Sequence, residues 1–262
     1  MKKYLNIYKT TIISELQYIP NIILGFISFA VKIYIFYNLW DYLYSDSSNI
    51  IGGLTKIGMI WYVIMTEIIW YGTRNNTLTN QISDDIKTGS IVYTLNKPYS
   101  YIIYIIYKHF GEITIKFLLY LLFSIFVGIV FVGPIDFNLI NLPLIIIIFL
   151  LSFVINAIIR IIISMLSFKI EDATPFHWLY DKIILILGTM FPIEIFPLLL
   201  QPILKLSPIY VVTYGPAKLV VDFSYNSFFN ILIAQIVYLI ISTILLTIIY
   251  RKGVKRLNVN GG

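Results

Sequence analysis

One stretch decides the fold class of this chain: LPLIIIIFLLSFVINAIIRIIISMLSF, residues Leu142–Phe168. Arg160 is the only charged residue in it, and its length exceeds the roughly 20 apolar residues that a helix needs to cross a bilayer. Outside a membrane, so long an uninterrupted apolar segment would have no solvent-facing side. The stretch therefore predicts a membrane-spanning helix.

The composition of the whole chain agrees with this interpretation. Hydrophobic residues make up 59% of the 262 residues and charged residues only 12%, whereas soluble domains carry roughly 25% charge. This excludes an ordinary cytosolic enzyme, a disordered chain and a nucleic-acid-binding domain. The chain has no cysteine, which excludes disulfides, thiol catalysis and thiolate metal sites. We expect an all-α integral membrane protein that forms a single transmembrane domain over residues 1–262.

Six stretches qualify or nearly qualify as transmembrane helices, and they place both termini on one side. The predicted spans are residues 19–40, 57–74, 111–132, 142–168, 182–200 and 228–250. Thirteen of the nineteen basic residues fall on the side of the termini, and only Lys56, Lys205 and Lys218 fall on the other. Because basic loops stay in the cytoplasm, both termini are predicted to be cytoplasmic. The net charge of +6 thus reports topology rather than a nucleic-acid partner.

Three segments outside the spans have distinct patterns. Residues 1–18 are amphipathic and predict a helix lying in the membrane interface, with a plain N-terminal extension of the first span as the alternative. Tyr99–Phe110 is aromatic and predicts a surface-lying segment that turns into the bilayer near Gly111. Residues 192–222 are rich in proline yet largely apolar, which predicts short helices that dip into the membrane from the outer side, with an ordinary outer loop as the alternative.

The cytoplasmic segment 75–98 contains a candidate docking helix. Apolar side chains recur on one face at Leu78, Ile82 and Ile86, and the acidic Asp84 and Asp85 lie between the last two. Gly89 follows where a helix C-cap is expected. The loop before the fifth span, with Glu171 and Asp172, is a second candidate. A plain solvated connector is the alternative for segment 75–98.

Charged residues inside predicted spans are costly and usually face the bundle. Lys32 lies roughly 20 Å from the cytoplasmic end of the first span and Glu67 roughly 15 Å from the outer end of the second, at ~1.5 Å rise per residue. Because these depths nearly coincide, we predict a Lys32–Glu67 ion pair. Glu112 is expected to pair with Lys116 four residues later or with Arg160. These charges either lock helices together, which we favour, or line a substrate path.

No catalytic or cofactor-binding motif is recognisable. The two histidines do not form an H-E-x-x-H pair, and there is neither a G-x-S-x-G elbow nor a Walker A sequence. The chain is therefore predicted to bind no cofactor or metal and to hydrolyse no ATP itself.

Several segments together resemble one branch of type-2 ATP-binding-cassette exporter permeases. DIKTGSIVYTLNKP, Asp85–Pro98, is similar to the family signature after the second span, with matches at Ile86, Gly89, Leu95, Lys97 and Pro98. Further similar segments are LSFKIED at Leu166–Asp172, Leu187-Gly188 with Pro192 and Pro197, LSPIYVVTYGPAKLV at Leu206–Val220, and GVKRLNVNGG at Gly253–Gly262. Ile209 departs from the pattern, because the family usually has phenylalanine there.

The resemblance implies a six-span permease in a prokaryotic cytoplasmic membrane, with an interfacial helix, a coupling helix and re-entrant helices before the last span. It implies a separate ATPase subunit that binds ATP and Mg, and a second permease, either another copy or a paralogue. The substrate would be amphiphilic or hydrophobic, such as a lipid, drug, peptide or polyketide. The alternatives are a secondary ion-coupled carrier and a non-transporting assembly subunit.

Overall fold

The computed structural model describes residues 2–44, 50–95, 97–170 and 172–260. These residues fold into helices without a β-strand among them. The eleven α-helices are α1 Lys2–Glu15, α2 Ile19–Leu43, α3 Lys56–Thr73, α4 Asn76–Lys87, α5 Ile91–Leu95, α6 Tyr101–Phe131, α7 Leu142–Ser164, α8 Thr174–Ile184, α9 Gln201–Lys205, α10 Gly215–Val221 and α11 Tyr225–Asn260. The predicted all-α class is confirmed.

Four helical stretches in the described ranges are long and apolar enough to cross a membrane. They are Lys2–Leu43, in which one 3₁₀ turn separates α1 from α2, Tyr101–Phe131, Leu139–Phe168 and Tyr225–Lys255. The protein is therefore a multi-pass membrane protein. The second predicted span, 57–74, corresponds to α3, which has 18 residues. Of the fifth predicted span, 182–200, only residues 182–190 form one continuous helical segment, made of the last residues of α8 and the π-helical turn Leu185–Met190.

Helix α3 lies at the centre of the bundle, where it packs against α2, α6 and α10. Most of its side chains are buried, including the polar Thr66, Glu67 and Thr73. Because protein surrounds α3 on all sides, it has no broad lipid-facing surface and tolerates polar residues that a peripheral span excludes. This position explains why the second predicted span is the least apolar one.

Helices α3 and α6 approach closely at Gly128. A Cβ atom added to Gly128 would stand 2.4 Å from the indole ring of Trp61, and that indole donates a hydrogen bond to the Gly133 carbonyl at 3.0 Å. Small residues at such crossings let helices in membranes pack tightly. A second close approach occurs at Gly111, where an added Cβ would meet Thr11 of α1 at 2.7 Å.

Substitution Gly128→Leu is expected to destabilise the bundle. The new side chain would overlap Trp61, which is itself buried and hydrogen-bonded, so we expect a loss of about 1–3 kcal/mol or more. Thermal unfolding in detergent measures this loss, with Val130→Leu on the exposed face of α6 as the control. Equal melting temperatures for the two variants would contradict the close packing of α3 and α6.

Helix α6 corrects one prediction. The surface-lying segment that turns near Gly111 does not exist as such, because α6 runs without interruption from Tyr101 to Phe131. Its first turns are covered by α1: the Ser100 amide donates to the Tyr4 hydroxyl at 2.9 Å, and the Tyr8 and Thr114 hydroxyls are 3.2 Å apart. The ring of Tyr107 in this segment also lies 5.6 Å from that of Tyr4 on α1. An aromatic residue here therefore helps to hold α1, a role that sequence patterns alone do not distinguish from interfacial anchoring.

The proline-rich segment before α11 folds into short helices packed into the bundle. The π-helical turn Tyr210–Tyr214 and α10 are largely buried, and α10 packs against α3 and α7. The Val211 carbonyl accepts hydrogen bonds from the Ser152 hydroxyl and the Gln235 amide, both at 2.9 Å. Side chains of α7 and α11 thus supply hydrogen-bond partners to the irregular backbone, because backbone polar groups in an apolar environment have no water to bind.

Candidate functional site

The side chains near the C-terminal ends of α3, α7 and α8 form a polar junction on the side predicted to be cytoplasmic. At its centre is Asp181, whose carboxylate lies 2.6 Å from the Arg160 guanidinium and 3.5 Å from that of Arg74. Arg160 is only 2% exposed, and its guanidinium also lies over the Tyr180 ring at 5.4 Å. Three helical elements therefore meet at one carboxylate: α7, α8 and the C-terminal end of α3.

Arg160 corrects a prediction, because its partner is Asp181 rather than Glu112. Sequence reasoning left Asp181 as a loop residue at the edge of the fifth predicted span. An acidic residue about two turns into a helix that leads into an apolar segment is the signal that could have indicated its buried role. A second set of hydrogen bonds reinforces the junction: the Asn156 amide donates to Thr73 at 2.7 Å and the Tyr180 hydroxyl donates to Asn156 at 2.9 Å.

Glu112 also has other partners than predicted. Its carboxylate accepts a hydrogen bond from the Asn75 amide and lies 3.7 Å from the Lys108 ammonium. The i,i+4 neighbour that pairs with it is thus the preceding lysine, not Lys116. Asn75 follows α3 directly, so Glu112 connects the end of α3 to α6.

The predicted ion pair between Lys32 and Glu67 is confirmed. The Lys32 ammonium lies 2.6 Å from the Glu67 carboxylate, whose side chain is completely buried. The rings of Trp70 and Tyr71 lie 4.5 Å and 5.6 Å from the ammonium. Aromatic faces attract a cation that is partly removed from water, so the pair joins α2 to the central helix.

Helix α4 is the candidate docking helix, and it is anchored by its apolar face. Ile82 and Ile86 are buried in a cluster with residues of α6 and α7, among them Tyr101 and Ile158. Asp84 lies on the opposite, exposed face. Asp85 is half-buried and accepts hydrogen bonds from Ser90 at 2.9 Å and Tyr101 at 3.4 Å. The two isoleucines therefore fix the helix, and Asp84 is the acidic group it presents outward.

The two predicted docking segments lie side by side. Lys87, the last residue of α4, places its ammonium 3.7 Å from Asp172, which precedes α8 and also accepts a hydrogen bond from the Thr174 amide at 3.0 Å. Gly89 ends the α4 region with a φ of +73°, the left-handed conformation that favours glycine at a helix C-cap. The side chain of Leu78, and Glu171 as a whole, lie outside the described part of the chain.

His177 on α8 lies next to the junction. Burial and the nearby Arg160 charge lower the pKa of His177 to about 4, while Asp181 opposes the shift; Nε2 of the ring lies 2.9 Å from the Ser164 hydroxyl. A folded-state pKa below the unfolded value of about 6.5 means that the unfolded chain binds this proton first. His177 therefore favours unfolding as the pH falls from about 6.5 towards 4 and has no such effect above that range.

Substitution His177→Gln is expected to weaken this acid sensitivity, because glutamine keeps a hydrogen bond to Ser164 but takes up no proton. The melting temperature in detergent should fall less between pH 7.5 and pH 5 for the variant than for the wild type. Identical decreases for the two proteins would show that other groups cause the acid sensitivity.

A polar cavity of about 840 Å³ adjoins the junction. It lies between α1, the first turn of α2, the end of α3 and one face of α6. The α6 face carries Lys108, Glu112, Lys116 and Tyr120 at successive four-residue intervals, and Arg74 and Glu15 line other walls. Sequence analysis placed none of these residues in a common cavity, because they come from three separate elements, α1, the end of α3, and α6.

Comparison with known proteins identifies the family. No protein of curated function matches the sequence. A family model described as ABC-2 family transporter protein matches residues 27–261, which is nearly the whole chain. Together with the four apolar helices, this match shows that the chain is a membrane protein of the ABC-2 transporter family, an ABC transporter permease.

Proposed function

We propose that this chain is the transmembrane subunit of an ATP-driven exporter, and that a separate ATPase subunit powers it. In this proposal the chain crosses a prokaryotic cytoplasmic membrane six times, with α3 as the second span, the end of α8 as the start of the fifth, and both termini in the cytoplasm. ABC-2 membrane subunits generally work with an ATPase subunit, which supports the partner. The substrate would be amphiphilic or hydrophobic, and a second permease, identical or paralogous, would complete the membrane part.

The observation that carries the proposal is the attachment of α4. This helix follows α3 after only two residues, and its buried face packs against α7 and the 3₁₀ turn after it. A force applied to the exposed face of α4 would therefore reach α3, α6 and α7 through contacts that do not rely on flexible loops. Such rigid attachment is what a coupling helix needs to convert closure of an ATPase into movement of the spans.

The second contact would be the segment before α8. Asp172 is 55% exposed in its side chain and is held against α4 by Lys87. Asp84 and Asp172 together would present negative charge to basic residues of the ATPase. The polar junction at Asp181 would then transmit movement of α8 to α3 and α7.

Substitution Asp84→Lys is expected to reduce binding of the ATPase. The reversal places a positive charge on the exposed face of α4 without disturbing Ile82 or Ile86, so the permease should fold normally. We expect roughly tenfold less ATPase to co-purify when the permease is co-expressed with its ATP-binding subunit.

The matched control is Asp136→Lys, the same charge reversal at an exposed position in the loop between α6 and α7. This loop is predicted to lie on the outer side, where no ATPase reaches it. Full retention of the ATPase by Asp84→Lys, or equal loss in both variants, would contradict the assignment of α4 as the docking helix.

A further inference from the structure

The cavity between α1, α2, α3 and α6 carries an excess of positive charge. Arg74, Lys108 and Lys116 line it, against two carboxylates, Glu15 and Glu112. The neighbouring ion pairs Lys32–Glu67 and Arg160–Asp181 add no net charge to this region. The cavity and its neighbouring pairs therefore carry a net positive charge.

Lys116 is the cation available to a ligand. Lys108 lies 3.7 Å from Glu112, and Arg74 lies 3.5 Å from Asp181. Among the residues that the structure describes, Lys116 makes no ion pair within 4 Å, although it is only partly exposed. Glu15, on the α1 wall of the cavity, is the carboxylate whose charge it influences from beyond that distance. A half-buried ammonium in a polar cavity attracts an anion, since lysine and arginine side chains are the usual ligands of phosphate groups.

The mouth of the cavity borders an apolar surface. Asn21 and Ile22, in the first turn of α2, form part of its wall. The residues that follow on α2 are strongly exposed: Ile23 by 52%, Leu24 by 65% and Ile27 by 64%. In a membrane these side chains meet lipid tails, so a molecule in the cavity has a polar environment at one end and an apolar one at the other.

From this arrangement we propose that the cavity binds the anionic, phosphate-type headgroup of an amphiphile, with Lys116 as its principal ligand and the tails along the exposed face of α2. Arg74 and Lys108 add positive charge, and Asn21 contributes a neutral hydrogen-bond donor. The aromatic rings of Trp70, Tyr71 and Tyr120 close the wall towards α3 and α6. Anionic lipids of the cytoplasmic leaflet have this chemistry.

The test uses the purified full-length permease alone. The protein is placed in phosphatidylcholine nanodiscs, and phosphatidylglycerol retained per chain is measured by native mass spectrometry as its mole fraction rises. We expect saturable binding at one site, weakened roughly fivefold in Lys116→Gln. The control, Lys9→Gln, removes the same charge from an exposed position on α1 outside the cavity.

The outcomes separate the possible sources of binding. Equal weakening of binding in both variants would overturn the proposal, because it would indicate diffuse attraction to a basic surface. Equal retention of phosphatidylcholine and phosphatidylglycerol would also overturn it. Displacement of the lipid by an equal concentration of glycerol phosphate would overturn the requirement for an amphiphile. Melting temperatures confirm that both variants are folded. No ATPase is present, so failure here leaves the proposed exporter function untouched.

Discussion

Substitution Lys32→Met is expected to lower the free energy of unfolding by about 3–5 kcal/mol, because it leaves the carboxylate of Glu67 without its partner. Glu67 is completely buried between helices, and the Lys32 ammonium at 2.6 Å is the counter-charge that the structure provides. Methionine has a similar volume, so the loss reports the charge rather than a cavity. Thermal or denaturant unfolding in detergent measures it.

The reverse substitution, Glu67→Gln, should cost less. The side chain of Lys32 is 22% exposed, so its ammonium has a route towards water or a headgroup when the carboxylate is removed. The double variant Lys32→Met/Glu67→Leu should recover much of the lost stability, because no unpaired charge remains. This pattern would support a structural role for the pair, the interpretation that we favoured from sequence.

An exposed ion pair provides the matched control. Lys56 pairs with Asp41, whose side chain is 51% exposed. Such pairs contribute about 0–1 kcal/mol, so Lys56→Met should be nearly neutral. A cost for Lys32→Met no larger than that for Lys56→Met, or no coupling in the double-mutant cycle, would contradict the role assigned to Glu67.

Substitution Asp181→Asn is expected to be the most damaging change at the polar junction, again by about 3–5 kcal/mol. It removes the only carboxylate that the described structure places against Arg160, a guanidinium that is 2% exposed. Arg160→Met should cost less, since Arg74 remains within 3.5 Å to neutralise Asp181. Arg74→Gln should cost least, because the Arg74 side chain is 38% exposed.

The ranking of these three variants by their loss of stability is the diagnostic result. Unfolding of the purified permease gives their stabilities, and ATP-driven transport in proteoliposomes with the ATPase gives their activities. If the junction transmits movement of α8, Arg74→Gln should reduce transport more than its small stability loss explains. An order in which Arg74→Gln is the least stable variant would contradict Asp181 as the central carboxylate.

Much of the fold follows from the sequence because the relevant signals are local. Apolar length predicted the long helices α2, α6, α7 and α11, and helical spacing of Ile82 and Ile86 predicted α4. The depth of a residue along a span is likewise a local quantity, fixed by the rise per residue. For that reason the Lys32–Glu67 pair was predictable from two separate spans.

The partners of Arg160 and Glu112 were not predictable in the same way. Depth along a span left more than one oppositely charged side chain within reach of each residue. Which of them becomes the partner depends on how each helix is rotated about its axis. That rotation is set by close contacts such as Gly128 against Trp61 and Gly111 against Thr11. These contacts join residues 67 and 100 positions apart, and no local pattern encodes them.

The sequence by itself therefore determined the membrane class, the positions of most helices, the predicted orientation from basic residues and the family. Only the tertiary structure decided that α3 is central, that Asp181 joins three helical elements, and that the cavity gathers charges from α1, α3 and α6. The physical reason is that hydropathy and helical period act along the chain, whereas side-chain packing between helices selects which faces meet.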